Sequence, residues 1–414
     1  MLANSKHTNL LEHLVPVPGH PEKCLPIAAI YGANGSGKSN LVSAISWLRR
    51  AVFSNPTALG EHSIRVAPFL FAEPERPTKL SLRFLVGRQV LEYGVSFTPA
   101  RFEQEWLTIV RPKGKEKIVF ERLTDSKEVT TINYGDGLPS VSEKAKALKL
   151  LGAKPKELFL SRLFHDLTAE ESGDAIGGAV YWFLNLHVVG LDSEYRFLTR
   201  RADQDDAFRV YLSDLLHRID PTLAGLKVEK NNVALSELTN LQRRKLEEAE
   251  VGEQISGARR WYKAGENLVE EVTLRAEHSG PNGLQRPLEF SQESDGTRRI
   301  AHIAPAAYEA NGPHVFLVDE LDRSLHALLV RAFVTEFLAR ARGHRSQLIF
   351  TTHETHVLDQ DLLRRDEIWF VQKSLEGATE IYPLDDYPVR NDLRLDRSYL
   401  LGRFGGVPSI LDPS

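Results

Sequence analysis

The sequence predicts an α/β fold in which a mainly parallel sheet is covered by helices. Residues 25–31 form a short apolar run, followed by a glycine-rich loop and then by apolar residues at helical spacing, which is the pattern of a buried strand, a loop and an amphipathic helix. From residue 281 onward, apolar strands alternate with amphipathic helices, as is typical of a parallel sheet. Residues 79–120 instead alternate apolar and polar side chains, which predicts an added antiparallel β subdomain.

Turn-forming segments divide the predicted elements into three parts, residues 1–140, 141–280 and 281–414. The first part holds the strand, the glycine loop, the helix and the antiparallel strands, and the second is predicted to be a mostly helical insertion. The third part returns to the parallel sheet. The predicted strands of the antiparallel subdomain are 80–86, 91–97 and 105–110. The predicted helical stretches of the insertion are 148–163, 179–186, 208–216 and a charged helix at 236–252. The elements of the third part are helix 300–308, strand 315–318, helix 325–338, strand 347–352 and strand 368–372.

The composition and charge exclude several classes of protein. The chain has 414 residues, of which 42% are hydrophobic and 26% charged, so it is too apolar for a disordered chain. With 52 Lys and Arg against 56 Asp and Glu, it lacks a chain-wide cationic coat, and any contact with nucleic acid must be regional. Its single cysteine excludes an intrachain disulfide. No apolar run approaches the roughly 20 residues of a membrane helix and no signal segment opens the chain, so we expect a cytoplasmic protein without a membrane span.

Residues 32–39, Gly-Ala-Asn-Gly-Ser-Gly-Lys-Ser, fit the phosphate-loop pattern at every position and lie between a predicted strand and a predicted helix. The glycines let backbone N–H groups turn toward phosphates, and the helix N-terminus adds partial positive charge. Lys38 would reach the outer phosphates of ATP, and Ser39 would ligate Mg²⁺. The predicted nucleotide-binding residues of this segment are Gly32, Ala33, Asn34, Gly35, Ser36, Gly37, Lys38, Ser39 and Asn40.

A second motif is an apolar strand at 314–318 that ends in two acids, Asp319 and Glu320. Acids at the carboxyl edge of a parallel sheet lie beside a nucleotide bound there. Asp319 would therefore join the Mg²⁺ shell, and Glu320 would orient and deprotonate the attacking water. A strand end exposed to solvent explains such a pair equally well when it stands alone, and the phosphate loop favours the functional interpretation.

Two further motifs are weak when each is taken alone. Residues 291–298, Ser-Gln-Glu-Ser-Asp-Gly-Thr-Arg, precede a predicted helix, and Ser294 or Asp295 could simply cap that helix. His353 follows the apolar strand at 347–352 and could be an ordinary surface histidine.

The order of the motifs along the chain resembles that of ATP-binding-cassette (ABC) ATPases of the SMC and RecF type. It resembles more closely the standalone bacterial AAA-family ATP-binding proteins found in phage-defence operons. The segments that carry this resemblance are residues 28–41, 293–299, 316–326, 347–353 and 399–404.

The resemblance implies roles for residues that spacing alone leaves open. Ser294 and Gly296 would contact the γ-phosphate held by a second protomer, Asp322 would lie at the dimer seam, and His353 would sense the γ-phosphate. It also implies a head-to-tail dimer that sandwiches two ATP molecules. The signature reads Ser-Asp-Gly-Thr instead of the transporter form Ser-Gly-Gly-Gln, and Ala327 replaces a usual proline.

Two other elements of the family pattern are not assigned. Relatives begin with a strand carrying Phe-Arg-Ser before the region of Leu25, and this sequence starts too late to supply it. Neither Gln89 nor Gln104 has the context that would identify it as the glutamine of a Q-loop.

The leading functional hypothesis is a Mg²⁺-dependent ATPase whose hydrolysis opens and closes a dimer, with its output delivered through residues 131–281. By family analogy, we expect the sensor or motor half of an antiviral or toxin-like system whose effector, a nuclease or toxin, is a separate polypeptide. One alternative is a RecF-type ATPase that binds duplex DNA through basic patches. The candidate basic patches are residues 111–117, 196–201, 243–245 and 259–263.

Two other classes of protein are compatible with a phosphate loop. A transporter motor is disfavoured because the segment between Gly32 and Ser294 is far longer than in such motors and no membrane span accompanies it. A nucleotide-gated scaffold that binds ATP and rarely hydrolyses it differs from a true ATPase only in its rate of turnover.

Overall fold

Two compact units make up the computed structural model of this chain. The first unit contains residues 1–188, 312–319 and 342–414, and the second contains residues 189–311 and 320–341. Both units are discontinuous in sequence, so the three-part division by sequence order stays a prediction. Among the described residues, no helix is both long and apolar enough to cross a membrane. The structure describes residues 3, 7–54, 64, 66–73, 76–112, 115–138, 142–190, 198–239, 253–256, 259–263, 268–388 and 393–407.

The strands and helices of the described residues are numbered in chain order. The strands are β1 (Val15–Pro16), β2 (Lys23–Cys24), β3 (Ile27–Gly32), β4 (Thr78–Val86), β5 (Gln89–Phe97), β6 (Phe102–Val110), β7 (Lys117–Thr124), β8 (Thr130–Tyr134), β9 (Leu186–Val189), β10 (Leu223–Ala234), β11 (Glu253–Ser256), β12 (Arg259–Lys263), β13 (Leu268–Ser279), β14 (Gln285–Glu289), β15 (Val315–Val318), β16 (Gln347–Thr352), β17 (Ile368–Lys373) and β18 (Thr379–Pro383). The helices are α1 (Lys38–Phe53), α2 (Glu143–Leu151), α3 (Phe159–Asp166), α4 (Ala169–Leu184), α5 (Leu198–Gln204), α6 (Asp206–Ile219), α7 (Asp295–Tyr308), α8 (Ala327–Ala341) and α9 (Leu395–Leu400).

A six-stranded sheet in the order β18-β17-β3-β16-β15-β9 forms the centre of the first unit. Strands β17, β3, β16 and β15 run parallel, and β18 joins the edge antiparallel to β17. Every residue of β3 is buried, which explains its uninterrupted apolar sequence. The register places Thr352 opposite Tyr31 and Val318 opposite Phe350, so the carboxyl ends of β3, β16 and β15 meet at one edge of the sheet.

The predicted antiparallel subdomain is a five-stranded sheet in the order β4-β5-β6-β7-β8, also in the first unit. Strand β4 ends at Val86 and β5 begins at Gln89, so Gly87 and Arg88 form the tip of the hairpin between them. Its buried face packs with α1, α3 and α4 in one hydrophobic core, which includes Tyr93, Phe97 and Phe159.

A buried carboxylate ties this sheet to the first turn of α3. Glu105 on β6 is fully buried and accepts hydrogen bonds from Phe159 N at 2.6 Å, Leu160 N at 2.9 Å and the Tyr93 hydroxyl at 3.0 Å. These bonds satisfy N–H groups that have no partner within the helix. Burial raises the pKa of Glu105, and the nearby positive charge of Arg122 opposes that shift.

Helices and an antiparallel sheet share the second unit. Helix α7 packs against α6 and α8, while β10, β13, β12 and β11 form the sheet, with β14 paired to β13. Three of the four helical stretches predicted for the insertion are present, the first two of them in the first unit. The apolar stretch 148–163 divides into α2 and α3 because Gly152, with φ 71°, ends α2. The sheet was not predicted. Of the charged helix predicted at 236–252, residues 240–252 lie outside the described part of the chain, and Leu235–Glu237 form a single 3₁₀ turn.

Candidate nucleotide-binding site

The phosphate-loop segment lies between the buried strand β3 and helix α1, as its sequence predicts. Gly35 and Gly37 have φ values of 76° and 105°, a backbone region that side chains other than glycine rarely adopt. Helix α1 begins at Lys38, so the N–H groups of its first turn point back toward the loop. The Lys38 side chain is buried, and its ammonium donates to the carbonyl oxygens of Gly32 at 2.7 Å and Ala33 at 3.0 Å.

Strand β18 supports the loop from outside. The Thr379 hydroxyl donates to the Ser36 carbonyl oxygen at 2.9 Å. A Cβ placed on Gly37 would lie 2.2 Å from Thr379 Oγ1, and one on Gly32 would lie 2.5 Å from the Val371 carbonyl oxygen. In this conformation of the loop, neither position has room for a Cβ.

Asp319 lies at the same edge of the sheet, at the end of β15. Its side chain is buried, and the Thr351 hydroxyl on β16 donates to its Oδ1 at 2.6 Å. This bond holds one oxygen of the carboxylate. His353, one residue beyond the end of β16, is exposed at that edge. The first unit thus brings together the loop, Asp319 and His353.

Glu320, the next residue in the chain, belongs to the second unit and has an unusual backbone. Its φ is 47°, which is strained for a residue with a Cβ. Arg299 on α7 is buried and donates from Nη2 to the Glu320 carbonyl oxygen at 2.7 Å. The guanidinium therefore holds the backbone of Glu320 in this conformation, which in turn sets the direction of its side chain.

The signature segment of the second unit is a helix cap exposed to solvent. Ser294 precedes α7, and its Oγ accepts from Thr297 N at 3.1 Å, so the capping interpretation is correct. The residue is exposed, and its Oγ also lies 2.8 Å from Thr297 Oγ1. Gly296 packs so closely on the segment after Glu320 that a Cβ there would lie 2.9 Å from the Ser324 carbonyl oxygen. Asp322 lies half-buried in that same segment.

The residues present fit a triphosphate and Mg²⁺. Ser36 Oγ is buried and has no hydrogen-bond partner among the described residues, and such an atom in a glycine loop is suited to a phosphate oxygen. The chemistry of the other donors agrees, because a hydroxyl (Ser39) and a carboxylate (Asp319) are ligands that Mg²⁺ prefers, while the Lys38 ammonium matches a phosphate.

Sequence reasoning missed three residues that position the site. Thr351 holds Asp319, Thr379 supports the loop, and Arg299 holds the backbone of Glu320. The sequence offers a signal for Thr351 alone, because it lies two residues before His353 at the end of an apolar strand. Thr379 and Arg299 act through contacts between segments far apart in sequence.

The tail motif at 399–404 packs beside the phosphate loop. The Tyr399 hydroxyl on α9 donates to the Gly406 carbonyl oxygen at 3.1 Å, and a Cβ on Gly406 would lie 3.5 Å from Gly32 Cα. The Tyr382 hydroxyl donates to the Phe404 carbonyl oxygen at 2.8 Å. The aromatic residues of this cluster are Tyr31, Phe370, Tyr382, Tyr387, Tyr399 and Phe404.

The described residues give little support to the basic patches as candidate contacts with duplex DNA. Arg201 forms ion pairs with Glu309 and Asp205, which neutralise its charge. Residues 243–245 lie outside the described part of the chain, as do 113–114 and 196–197. Residues 259–263 form β12, whose side chains are also outside it.

A glycine loop between a buried parallel strand and a helix, with an oriented acid at the end of a nearby parallel strand, defines a P-loop nucleotide-binding fold. The profile of the family described as "AAA domain, putative AbiEii toxin, Type IV TA system" matches residues 27–359. This match covers most of the chain, so the chain belongs to that family. The predicted resemblance and the α/β fold class are thereby confirmed.

Several solved structures of SMC heads are similar at low identity. The SmcHead bound to the C-winged helix domain of ScpA is 12% identical with a TM-score of 0.40, covering 89% of this chain and 95% of that one. The SMC head domain from Thermotoga maritima is 14% identical with a TM-score of 0.33, covering 89% and 96%. The Smc head domain with an extended coiled coil bound to the C-terminal domain of ScpA, from Pyrococcus furiosus, is 14% identical with a TM-score of 0.35, covering 94% and 97%. A search of curated proteins finds no significant match.

Proposed function

We propose that this protein is a Mg²⁺-dependent ATPase that hydrolyses ATP between two protomers arranged head to tail. The observation that carries the proposal is the buried hydrogen bond between Thr351 and Asp319 at the sheet edge where the phosphate loop begins. Phosphoryl transfer to water requires little beyond positioning and charge neutralisation. The loop and Lys38 supply positive charge, and the oriented Asp319 carboxylate would position Mg²⁺ beside them.

Each residue of the site has a distinct role in this proposal. The loop N–H groups and the Lys38 ammonium bind the β- and γ-phosphates. Ser39 and Asp319 hold Mg²⁺, which neutralises charge on the outer phosphates when it is bound. Glu320 accepts a proton from the attacking water, and His353 contacts the γ-phosphate at the exposed edge.

The dimer is proposed because part of this set belongs on an opposing surface. Ser294 is exposed and caps α7, and the N–H groups of Asp295 and Gly296 lie in the first turn of that helix, a position that suits a phosphate held by another protomer. Asp322 follows in the adjacent segment and would lie at the seam. ATP binding would then close the dimer, and hydrolysis would open it.

The biological role is proposed from the family description, which names a toxin of a type IV toxin–antitoxin system. The chain would act in the cytoplasm as the sensor or motor of an antiviral or toxin-like system, with a separate nuclease or toxin as effector. Affinity purification of the tagged protein from its native cells should recover one such polypeptide in stoichiometric amount. Recovery of the chain alone, together with unchanged growth under phage challenge after its deletion, would refute this role.

Steady-state hydrolysis tests the enzymatic part of the proposal. Glu320→Gln should keep ATP affinity and reduce kcat by about 100-fold or more, because a positioned general base contributes factors of this size. Lys38→Ala should weaken ATP binding roughly tenfold or more, since it removes charge-assisted hydrogen bonds to phosphate. Glu143→Gln, which changes an exposed glutamate on α2, is the matched control and should behave as wild type. Normal turnover in Glu320→Gln would remove Glu320 from its role, and an equally slow wild type would favour the nucleotide-gated scaffold.

A further inference from the structure

A cavity in the first unit lies at the edge of the parallel sheet opposite the phosphate loop. Its volume is about 390 Å³. Leu25, Val315 and Gln347 line it, and they precede or begin strands β3, β15 and β16, whose other ends carry the nucleotide-site residues. The remaining walls come from the β1–β2 segment, the tip of the β4–β5 hairpin, the end of β6 and helix α4. A cavity of this size is within the range of small-molecule sites.

The inner walls of the cavity are apolar and partly aromatic. Val15 and Val17 are buried there, and Phe84 stacks on Trp182 with ring centroids 4.4 Å apart and an interplanar angle of 17°. Apolar and aromatic walls favour a ligand with a flat ring system, because such a ligand is desolvated and packs against the wall over a large area.

The solvent side of the cavity carries net positive charge, because three arginines line it against one carboxylate, the exposed Glu22. Arg83 is exposed and forms ion pairs with Glu92 and Glu116, so its charge is balanced. Arg111 and Arg345 also line the cavity and are exposed, and within the described residues no carboxylate lies in ion-pair range of either one. Arg345 Nη1 donates to the Gly87 carbonyl oxygen at 2.6 Å, which fixes this guanidinium at the hairpin tip.

We infer that this cavity is a second ligand site, separate from the nucleotide site, that takes a planar aromatic anion. The ring system would occupy the apolar interior, and a carboxylate, sulfonate or phosphate would meet Arg111 and Arg345. A guanidinium matches such a planar or tetrahedral anion with paired hydrogen bonds. The inference concerns binding at the opposite sheet edge and does not depend on ATP hydrolysis.

The chain carries its own reporter for this cavity. Cys24 lines the cavity, and it is the single cysteine of the sequence, so a thiol reagent reports on this position alone. Burial raises the pKa of the Cys24 thiol, so labelling is best followed at mildly alkaline pH.

The test uses anilinonaphthalene sulfonate as the probe and the full-length protein, first without nucleotide and then with saturating ATP and Mg²⁺. Probe fluorescence gives its Kd, and intact-mass measurement of N-ethylmaleimide labelling gives the protection of Cys24. Val110→Trp, which fills the cavity, should abolish binding, and Arg345→Gln should raise the Kd about tenfold by removing one charge-assisted contact. Arg342→Gln, an exposed arginine three positions earlier that does not line the cavity, is the control and should leave the Kd unchanged.

The measurements test separately whether the cavity binds a ligand and whether that ligand must be an anion. Saturable binding that protects Cys24 and weakens in both cavity variants supports it. A neutral analogue, N-phenylnaphthylamine, should bind at least tenfold more weakly, and equal binding would overturn the requirement for an anion. Displacement of the probe by ATP, an unchanged Kd in Arg345→Gln, or unprotected Cys24 at saturation would overturn the site itself. Because Arg345 is exposed, its variant decides the matter even if Val110→Trp does not fold.

Discussion

Two glycines of the phosphate loop, Gly35 and Gly37, exclude larger residues for different reasons. Gly35 and Gly37 both have positive φ, but a Cβ on Gly35 meets no atom within 4 Å, whereas one on Gly37 meets Thr379 at 2.2 Å. A residue with a Cβ at position 35 would therefore cost backbone strain alone, about 1–2 kcal/mol. Position 37 adds a clash with a side chain that itself supports the loop.

This difference gives a matched pair of variants. Gly37→Ala should lose measurable ATP binding, because relief of the clash must displace either the loop or Thr379, whereas Gly35→Ala should weaken binding by at most about tenfold. Titration with a fluorescent ATP analogue measures both. Equal affinities in the two variants would contradict the assignment of Thr379 as the residue that supports the loop.

Loss of the Thr351 hydroxyl should raise the Mg²⁺ requirement of ATP hydrolysis. Thr351→Val keeps the shape of the side chain and removes its bond to Asp319, so the carboxylate loses its orientation. Residues that orient metal ligands typically change metal affinity by about 10–100-fold, so the Mg²⁺ concentration for half-maximal ATP hydrolysis should rise by about tenfold or more. Thr351→Ser should restore it, and Thr352→Val, which removes the hydroxyl that accepts from Glu354 N, is the neighbouring control. An unchanged Mg²⁺ requirement in Thr351→Val would show that Asp319 is oriented without this bond.

At the scale of elements, the junction between β6 and α3 depends on one buried carboxylate. Glu105→Ala would leave two helix N–H groups and the Tyr93 hydroxyl buried without this acceptor. Each such group costs about 1–3 kcal/mol, so we expect a loss of several kcal/mol and a clearly lower Tm. Gln104→Ala, at an exposed position of the same strand, should leave Tm nearly unchanged. A Tm loss no greater than that of Gln104→Ala would mean that solvent replaces the lost acceptor.

Elements differ in how well local sequence predicts them. The β3–loop–α1 segment and β15 were predicted because burial on both faces of a parallel strand forces an unbroken apolar run, and the glycine pattern leaves one backbone path. The sheet of the second unit was not predicted. Residues 223–234 of β10 have exposed or half-buried polar residues on both faces, so apolar and polar side chains do not alternate regularly along it.

The residues of the candidate site also differ in whether their own segment of sequence identifies them. The residues expected to touch phosphate or metal could be named from sequence, because their chemistry requires fixed spacing within a single segment. Thr379 and Arg299 could not, since each acts across more than 20 residues of chain, on Ser36 and Glu320 respectively. Contacts of that kind depend on the register of strands and helices, which a single sequence does not specify.

At the scale of the whole molecule, the proposed dimer requires that each active site take Lys38 from one protomer and Ser294 from the other. Lys38→Ala and Ser294→Asp should each be inactive alone. Aspartate at position 294 keeps an oxygen that can cap α7, and its negative charge would repel a triphosphate. The thermal stability of Ser294→Asp should therefore stay close to that of the wild type.

A mixture of the two inactive variants distinguishes a shared site from a site within one chain. In a mixed dimer, one site combines both substitutions, while the other combines an intact Lys38 with an intact Ser294. If protomers exchange freely, half of the dimers are mixed and one site in each is intact, so hydrolysis should recover to about a quarter of the wild-type rate. Activity should rise with the square of the protein concentration at low concentration, because the intact site exists only in the dimer. A mixture of stable, nucleotide-binding variants that stays inactive would mean that Ser294 and Lys38 do not meet across protomers.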